Sequence, residues 1–160
     1  MRALDPISTM PESVADTSAR RLTLRGRLED LARVWPWVET LAATYAIPAA
    51  LLFSVNLCLE EALSNIVRHG YGGGSALPIT IDFAETGSDG IAFVIEDRAG
   101  PFDPLEFSCR QEAPPPASIE DFEPGGQGIR LLRKFSGSLS YERLSGGNRL
   151  TIGFRKISPE

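Results

Sequence analysis

The sequence predicts an α+β fold in which helices pack on one face of a mostly antiparallel sheet, and three observations predict it. Short alternating stretches bracket the chain, with RRLTLRGRL (20–28) near the start and SLSYERL and NRLTIGFRK, joined by SGG, near the end. Two further stretches, LPITIDFAE (77–85) and GIAFVIED (90–97), are separated by the turn residues TGSDG and read as a hairpin. Two helix-period segments follow the first strand, so sheet and helices form two layers. A chain of 160 residues buries one core of useful size, which sets the expectation of a single domain over 20–156 after a flexible N-terminus at 1–19.

The first strand alternates Leu22, Leu24 and Leu28 with polar residues, as an edge strand does. A helix over about 29–46 then places Leu31, Val34, Trp35, Val38, Leu41 and Ala42 on one stripe. This puts Trp35 in the core and leaves Trp37 as a candidate for an interface. Pro48 suits the first turn of a long helix that runs to Gly70. Gly72, Gly73, Gly74 and Pro78 break the chain before the hairpin. From Pro101 to Pro124 periodicity is lost and prolines and acids accumulate, as in a lid or binding segment. GGQG (125–128) then opens the short helix IRLLRKF.

The formal charge of −5 argues against a nucleic-acid binder, which shows a basic face to phosphates. Cys58 and Cys109, the only cysteines, make neither a disulfide framework nor a zinc cluster, and a reducing cytoplasm is the expected setting. Residues 1–19 lack the apolar core of a signal peptide, and no apolar run is expected to be long enough to cross a bilayer. A soluble protein with a protein or nucleotide partner is therefore expected, with no membrane and no nucleic acid.

The stretch LCLEEALSNIVRHGY (57–71) sets polar side chains into the long apolar helix. With Glu61 at zero on a helical wheel, Leu52, Val55, Leu59, Ala62, Leu63 and Ile66 fall on the core stripe, and Ser54, Asn65 and Arg68 lie within about 40° of Glu61. Glu60 lies about 100° away and is a solvated flank. Glu61 and Asn65 share a face, either as ordinary surface residues or as a site in which Asn65 offers an amide oxygen to Mg²⁺ and Glu61 accepts a proton. Asp97 closes the strand GIAFVIED, with Gly100 just beyond; it is either a turn residue or an acceptor for an exocyclic amine such as that of adenine. The glycines of GGQG either form a hinge or fold around a phosphate at the start of a helix.

In that order these pieces resemble the ATP-binding domain of the GHKL ATPases: EALSN (61–65) looks like the N box, VIEDRAGPFDP (94–104) like the first glycine box and GGQGIRLL (125–132) like the second. The match runs from about 20 to 156. EALSNIVRHGY, DRAGPFDP, PPPAS, GGQGIRLLRK and YERLSGGNRLT are similar to the bacterial anti-sigma factor serine/threonine kinases in sequence and spacing. The resemblance implies a Bergerat-type two-layer sandwich that binds ATP and Mg²⁺. Glu61 would be the catalytic base, Asn65 the magnesium ligand and Asp97 the adenine acceptor, while Gly100, Gly126, Gly128, Ile129, Arg68 and His69 would belong to the nucleotide site. Residues 105–124 would form the ATP lid. His69 equally suits the cationic end of a helix before Gly70. Two departures stand out. Ala99 replaces the glycine usual in DxG, which predicts an adenine-side loop that either binds more weakly or takes a shifted path, and FSGSLS (135–140) replaces a more acidic stretch, which bears on the partner surface more than on ATP binding.

The same resemblance implies phosphorylation of a STAS-domain anti-sigma factor antagonist, sequestration of a sigma factor and a homodimer. A histidine autokinase needs a phosphoacceptor histidine on a separate hairpin, whereas His69 is the one histidine of this chain. Gyrase- and MutL-like coupling needs a further domain, for which 160 residues leave no room. Three functions remain in view: a protein serine/threonine kinase, a nucleotide-regulated partner-binding module without phosphotransfer, and a domain that has lost ATP, for which Ala99 is the sequence support.

Overall fold

The computed structural model describes residues 18–103 and 126–156. Ten elements reduce to five strands and three α-helices with two short helical turns: β1 (Arg21–Gly26), a 3-10 turn (Leu28–Arg33), α1 (Val34–Tyr45), α2 (Ala49–Asn65) continued by a π turn (Ile66–Gly70), β2 (Ser75–Thr86), β3 (Gly90–Asp97), α3 (Gly126–Phe135), β4 (Ser138–Leu144) and β5 (Gly147–Arg155). The strands form one antiparallel sheet in the order β1-β2-β3-β5-β4.

Period-two alternation decides which face the helices cover. Leu22 and Leu24, Ile79, Ile81 and Phe83, Ile91, Phe93 and Ile95, and Leu150, Ile152 and Phe154 all point inward, where they meet Val34, Val38, Leu41, Val55, Leu59, Leu63 and Leu132 in one core. The other face is polar. There Arg21 pairs with Asp82 across β1 and β2, and Arg149 of β5 reaches both Glu96 of β3 and Glu142 of β4.

The edge strand β1 is shielded by the turn that follows it. Asp30 accepts a hydrogen bond from the Arg25 N–H at 2.9 Å, and the Arg33 guanidinium donates to the Thr23 carbonyl at 3.0 Å. Backbone groups that would template a further strand are thereby occupied.

Two helix expectations are corrected. The helix expected from residue 29 starts at Val34, preceded by the 3-10 turn. With Leu31 on the tighter turn, the buried stripe becomes Val34, Val38 and Leu41, which rotates Trp35 outward (49% exposed) and Trp37 inward. Trp37 packs edge-on against Phe93 at 6.0 Å and donates its indole N–H to the Ala19 carbonyl, so the two tryptophans exchange their expected places. The continuous helix Ala49–Gly70, at 22 residues and mean hydropathy 1.4, would by length and composition suffice to cross a bilayer. Its apolar side is instead spent on the sheet: Val55, Cys58, Leu59, Ala62, Leu63 and Val67 are buried in the core.

Candidate functional site

Beyond Ile95, the inward phase of β3 continues to Asp97; β5, whose inward residues are Leu150, Ile152 and Phe154, begins that phase at Asn148. Asp97 and Asn148 are direct cross-strand partners, so the hydrophobic underside of the sheet ends in a polar pair. Both are buried, at 7% and 5% exposure. Buried polar side chains are stable only when hydrogen-bonded, and this pair is thoroughly so. The Asn148 amide donates to Asp97 Oδ1 at 2.9 Å and to the Gly100 carbonyl at 2.9 Å. Its oxygen accepts from the Tyr141 hydroxyl at 2.5 Å and from Arg143 at 3.3 Å. Asp97 Oδ1 also accepts the Ala99 N–H at 2.8 Å, closing a tight turn, and Arg143 holds the Ala99 carbonyl at 2.8 Å. Among the described residues, no donor reaches Asp97 Oδ2.

This end of the sheet is one wall of a pocket lined by Ala62, Asn65, Ile66, Gly70, Asp97, Ala99, Phe102, Leu132, Tyr141, Asn148 and Leu150. Apolar walls with a few convergent polar groups are what a flat heterocycle requires. Asn65 enters from α2. It is 9% exposed, and its amide makes no hydrogen bond among the described residues. No fully buried side-chain nitrogen or oxygen lacks a partner among the described residues, so the amide end reaches the pocket space, where a ligand can meet it. Glu61 is half-buried and stands one helical turn before Asn65, because α2 keeps α geometry through that residue. Its negative charge reaches the Cys58 thiol, which burial, chiefly, and Glu61 push up to about 12. Cys58 is therefore a packed thiol rather than a nucleophile.

The structure thus brings Asn65 and Asp97 into one pocket, with the Gly100 carbonyl tied to the same turn; Glu61 is not part of the lining and stands one helical turn before Asn65. Gly126, Gly128 and Ile129 form the first turn of α3, whose Leu132 closes the pocket. The sequence-expected lid, 105–124, and Gly125 lie outside the described residues. Arg68 and His69 are not brought in. Both are exposed on the π turn, and Arg68 lines a separate groove with Leu28, Trp35, Glu60 and Ser64. A π turn advances fewer degrees per residue than an α turn, so a wheel drawn at 100° per residue carries Arg68 too far toward Glu61.

Asn148, Tyr141 and Arg143 are site residues that sequence reasoning missed. For Asn148 a signal existed, since counting back by twos from Phe154 places it on the buried face of its strand. Ala99, the departure from DxG, is buried, and its methyl group stands where a side chain on Gly70 would meet it at 2.9 Å.

An implied Mg²⁺ fits this chemistry. Asn65 lines the pocket and would supply one neutral amide oxygen. A single amide oxygen would suit a cation whose remaining ligands are phosphates and water.

Comparison with known proteins agrees with the geometry. The family model described as histidine kinase-like ATPase domain matches residues 24–154. The serine/threonine-protein kinase BtrW of Bordetella bronchiseptica is 37% identical over 117 residues, which is 72% of this chain and 79% of that protein. Two solved structures share the fold: the RsbU and RsbW domains of Rv1364c from Mycobacterium tuberculosis (TM-score 0.56, 13% identity, 84% of this chain) and the SiaB–SiaC complex from Pseudomonas aeruginosa (TM-score 0.53, 12% identity, 88% of this chain). The match spans 32% of the Rv1364c chain and 93% of the chain from the SiaB–SiaC complex. The chain belongs to the GHKL-type histidine kinase-like ATPase domain family, alongside a serine/threonine-protein kinase.

Proposed function

We propose that this protein is an ATP-dependent serine/threonine protein kinase of the anti-sigma factor type, acting in the cytoplasm on a STAS-domain antagonist and sequestering a sigma factor when the antagonist is phosphorylated. One observation carries the nucleotide part: the unpartnered amide of buried Asn65 and the unengaged Oδ2 of Asp97 line the same apolar pocket. The kinase part is supported by the 37% identity to BtrW.

In this reading Asp97 Oδ2 accepts a hydrogen bond from the adenine amine, a contact a carboxylate makes and a base bearing a carbonyl at that position cannot. Asn65 would hold Mg²⁺, which supplies neutralisation of the triphosphate charge. Glu61 accepts the proton of the attacking serine or threonine hydroxyl as its oxygen bonds to the γ-phosphorus. The bond from that phosphorus to the β-bridging oxygen breaks, and ADP leaves. The first turn of α3, with Gly126 and Gly128, offers backbone N–H groups to the phosphates.

The test is transfer of labelled γ-phosphate from Mg·ATP to each STAS-domain protein of the source organism, by wild type and by Glu61→Ala. Label on one of them with wild type, reduced at least about a hundredfold in the variant, is expected for a lost general base. Nucleotide binding without label on any candidate would overturn the kinase assignment and favour a nucleotide-gated binding module.

A further inference from the structure

Tyr71 directly follows the π turn, and its own N–H closes that turn on the Ile66 carbonyl at 2.8 Å. The hydroxyl makes two hydrogen bonds. It donates to the Pro78 carbonyl at 2.9 Å and accepts the Arg98 N–H at 2.8 Å. These two partners are not arbitrary. The β2–β3 ladder pairs Ile81 with Ile95 and Thr80 with Glu96, and continuing that register would set Pro78 opposite Arg98. The ladder stops at Thr80 and Glu96, and the phenol lies between Pro78 and Arg98, the second pair beyond that end. It receives the N–H and supplies a donor to the C=O that a further rung would have joined directly.

We propose that the Tyr71 hydroxyl is an inserted rung that holds β3 apart from β2 where their ladder ends, just before Asp97, and that Tyr71 is thereby a positioning residue for the base-recognising carboxylate. The peptide it holds, Arg98 N–H, joins directly to Asp97, and the next N–H, that of Ala99, is the one bonded to Asp97 Oδ1. The same residue is continuous with the helix that carries Asn65, so one side chain ties the helix to the carboxylate turn. The ring has a dedicated seat: a Cβ on Gly26 would come within 2.2 Å of Tyr71 Cδ2. Donation to Pro78 requires a neutral phenol. Burial, chiefly, with a smaller push from the Asp97 charge, raises the Tyr71 pKa above that of free tyrosine, while the Arg98 N–H acts the other way. The hydroxyl is protonated at neutral pH.

This inference rests on the reading of Asp97 as acceptor for the adenine amine, and the test separates the two. Affinities for Mg·ATP and Mg·ITP, which differ at that amine, are measured by titration calorimetry on wild type, Tyr71→Phe and Gly26→Ala, well below each melting temperature. Tyr71→Phe keeps the ring and loses both hydrogen bonds, whereas Gly26→Ala displaces the ring. The expected result is a wild-type preference for ATP that falls about tenfold in both variants, with ITP affinity unchanged within about twofold. A wild-type preference retained in full by Tyr71→Phe overturns the inference while leaving Asp97 in its role. Equal binding of ATP and ITP by wild type overturns the Asp97 reading itself, and the inference with it.

Discussion

Replacing Asn148 by alanine removes the donor that Asp97 Oδ1 and the Gly100 carbonyl share, and strips the acceptor from Tyr141 and Arg143. Because Asp97 stays buried, its carboxylate would keep only the Ala99 N–H. Leaving a buried charged acceptor short of a donor costs about 1–3 kcal/mol, so Asn148→Ala should lower unfolding stability in urea by that amount and weaken ATP together with it. Asn148→Asp should be worse for ATP, because it sets a second carboxylate against the first. At this scale the sequence was legible where chemistry and position coincide. Asp97 closes an obvious strand, and Glu61 with Asn65 share a helical face. Asn148 opens the strand NRLTIGFRK, and only its inward phase on β5 marks it as part of the core. Nor does one sequence reveal that Asp97 and Asn148 face each other, since strand register is a tertiary fact.

Helix-period reasoning held for α2 as far as Asn65 and failed beyond it, since the π turn over Ile66–Gly70 has no propensity signature in IVRHG. The same limit applies at the start of α1, where the 3-10 turn exchanged the roles of Trp35 and Trp37. The π turn delivers Gly70 to the carboxylate turn. The sequence-level departure at Ala99 is explained by what it meets there. Ala99 has no positive φ, Ala46 being the one non-glycine with a positive φ among the described residues, so its backbone does not require glycine. Its methyl group instead needs a hydrogen on Gly70, where an added Cβ would stand 2.9 Å away. Gly70→Ala is therefore expected to displace the turn after Asp97 and weaken ATP, and Ala99→Gly should restore binding to the double variant. A cycle of the four proteins, read by ATP titration, should give a coupling of about 0.5–3 kcal/mol; additive losses would mean the two positions act separately.

For the whole molecule, the site is a place where folding and binding pull apart. Helices, sheet and core were anticipated from apolar periodicity, because burying those side chains is what stabilises the domain. Asn65 contributes nothing of that kind: it is buried at the end of α2, and its amide is unpartnered among the described residues. Alanine at that position removes an amide that makes no hydrogen bond to the described residues and places the best helix former in the last turn, so Asn65→Ala should raise the melting temperature of the nucleotide-free protein slightly or leave it unchanged. With ligand the order should reverse. Mg·ATP at a hundred times its Kd stabilises the wild type by about 2.7 kcal/mol, which for a domain of this size is roughly 5–10 °C. The same concentration should move Asn65→Ala by much less, and its remaining shift should not depend on whether Mg²⁺ or EDTA is present. Differential scanning fluorimetry on the two proteins, with and without nucleotide and with Mg²⁺ or EDTA, measures both halves. A variant destabilised by about 2 kcal/mol or more without ligand would show that Asn65 holds the fold together, whereas the crossing of the two melting curves on adding Mg·ATP is what a side chain kept for the metal produces.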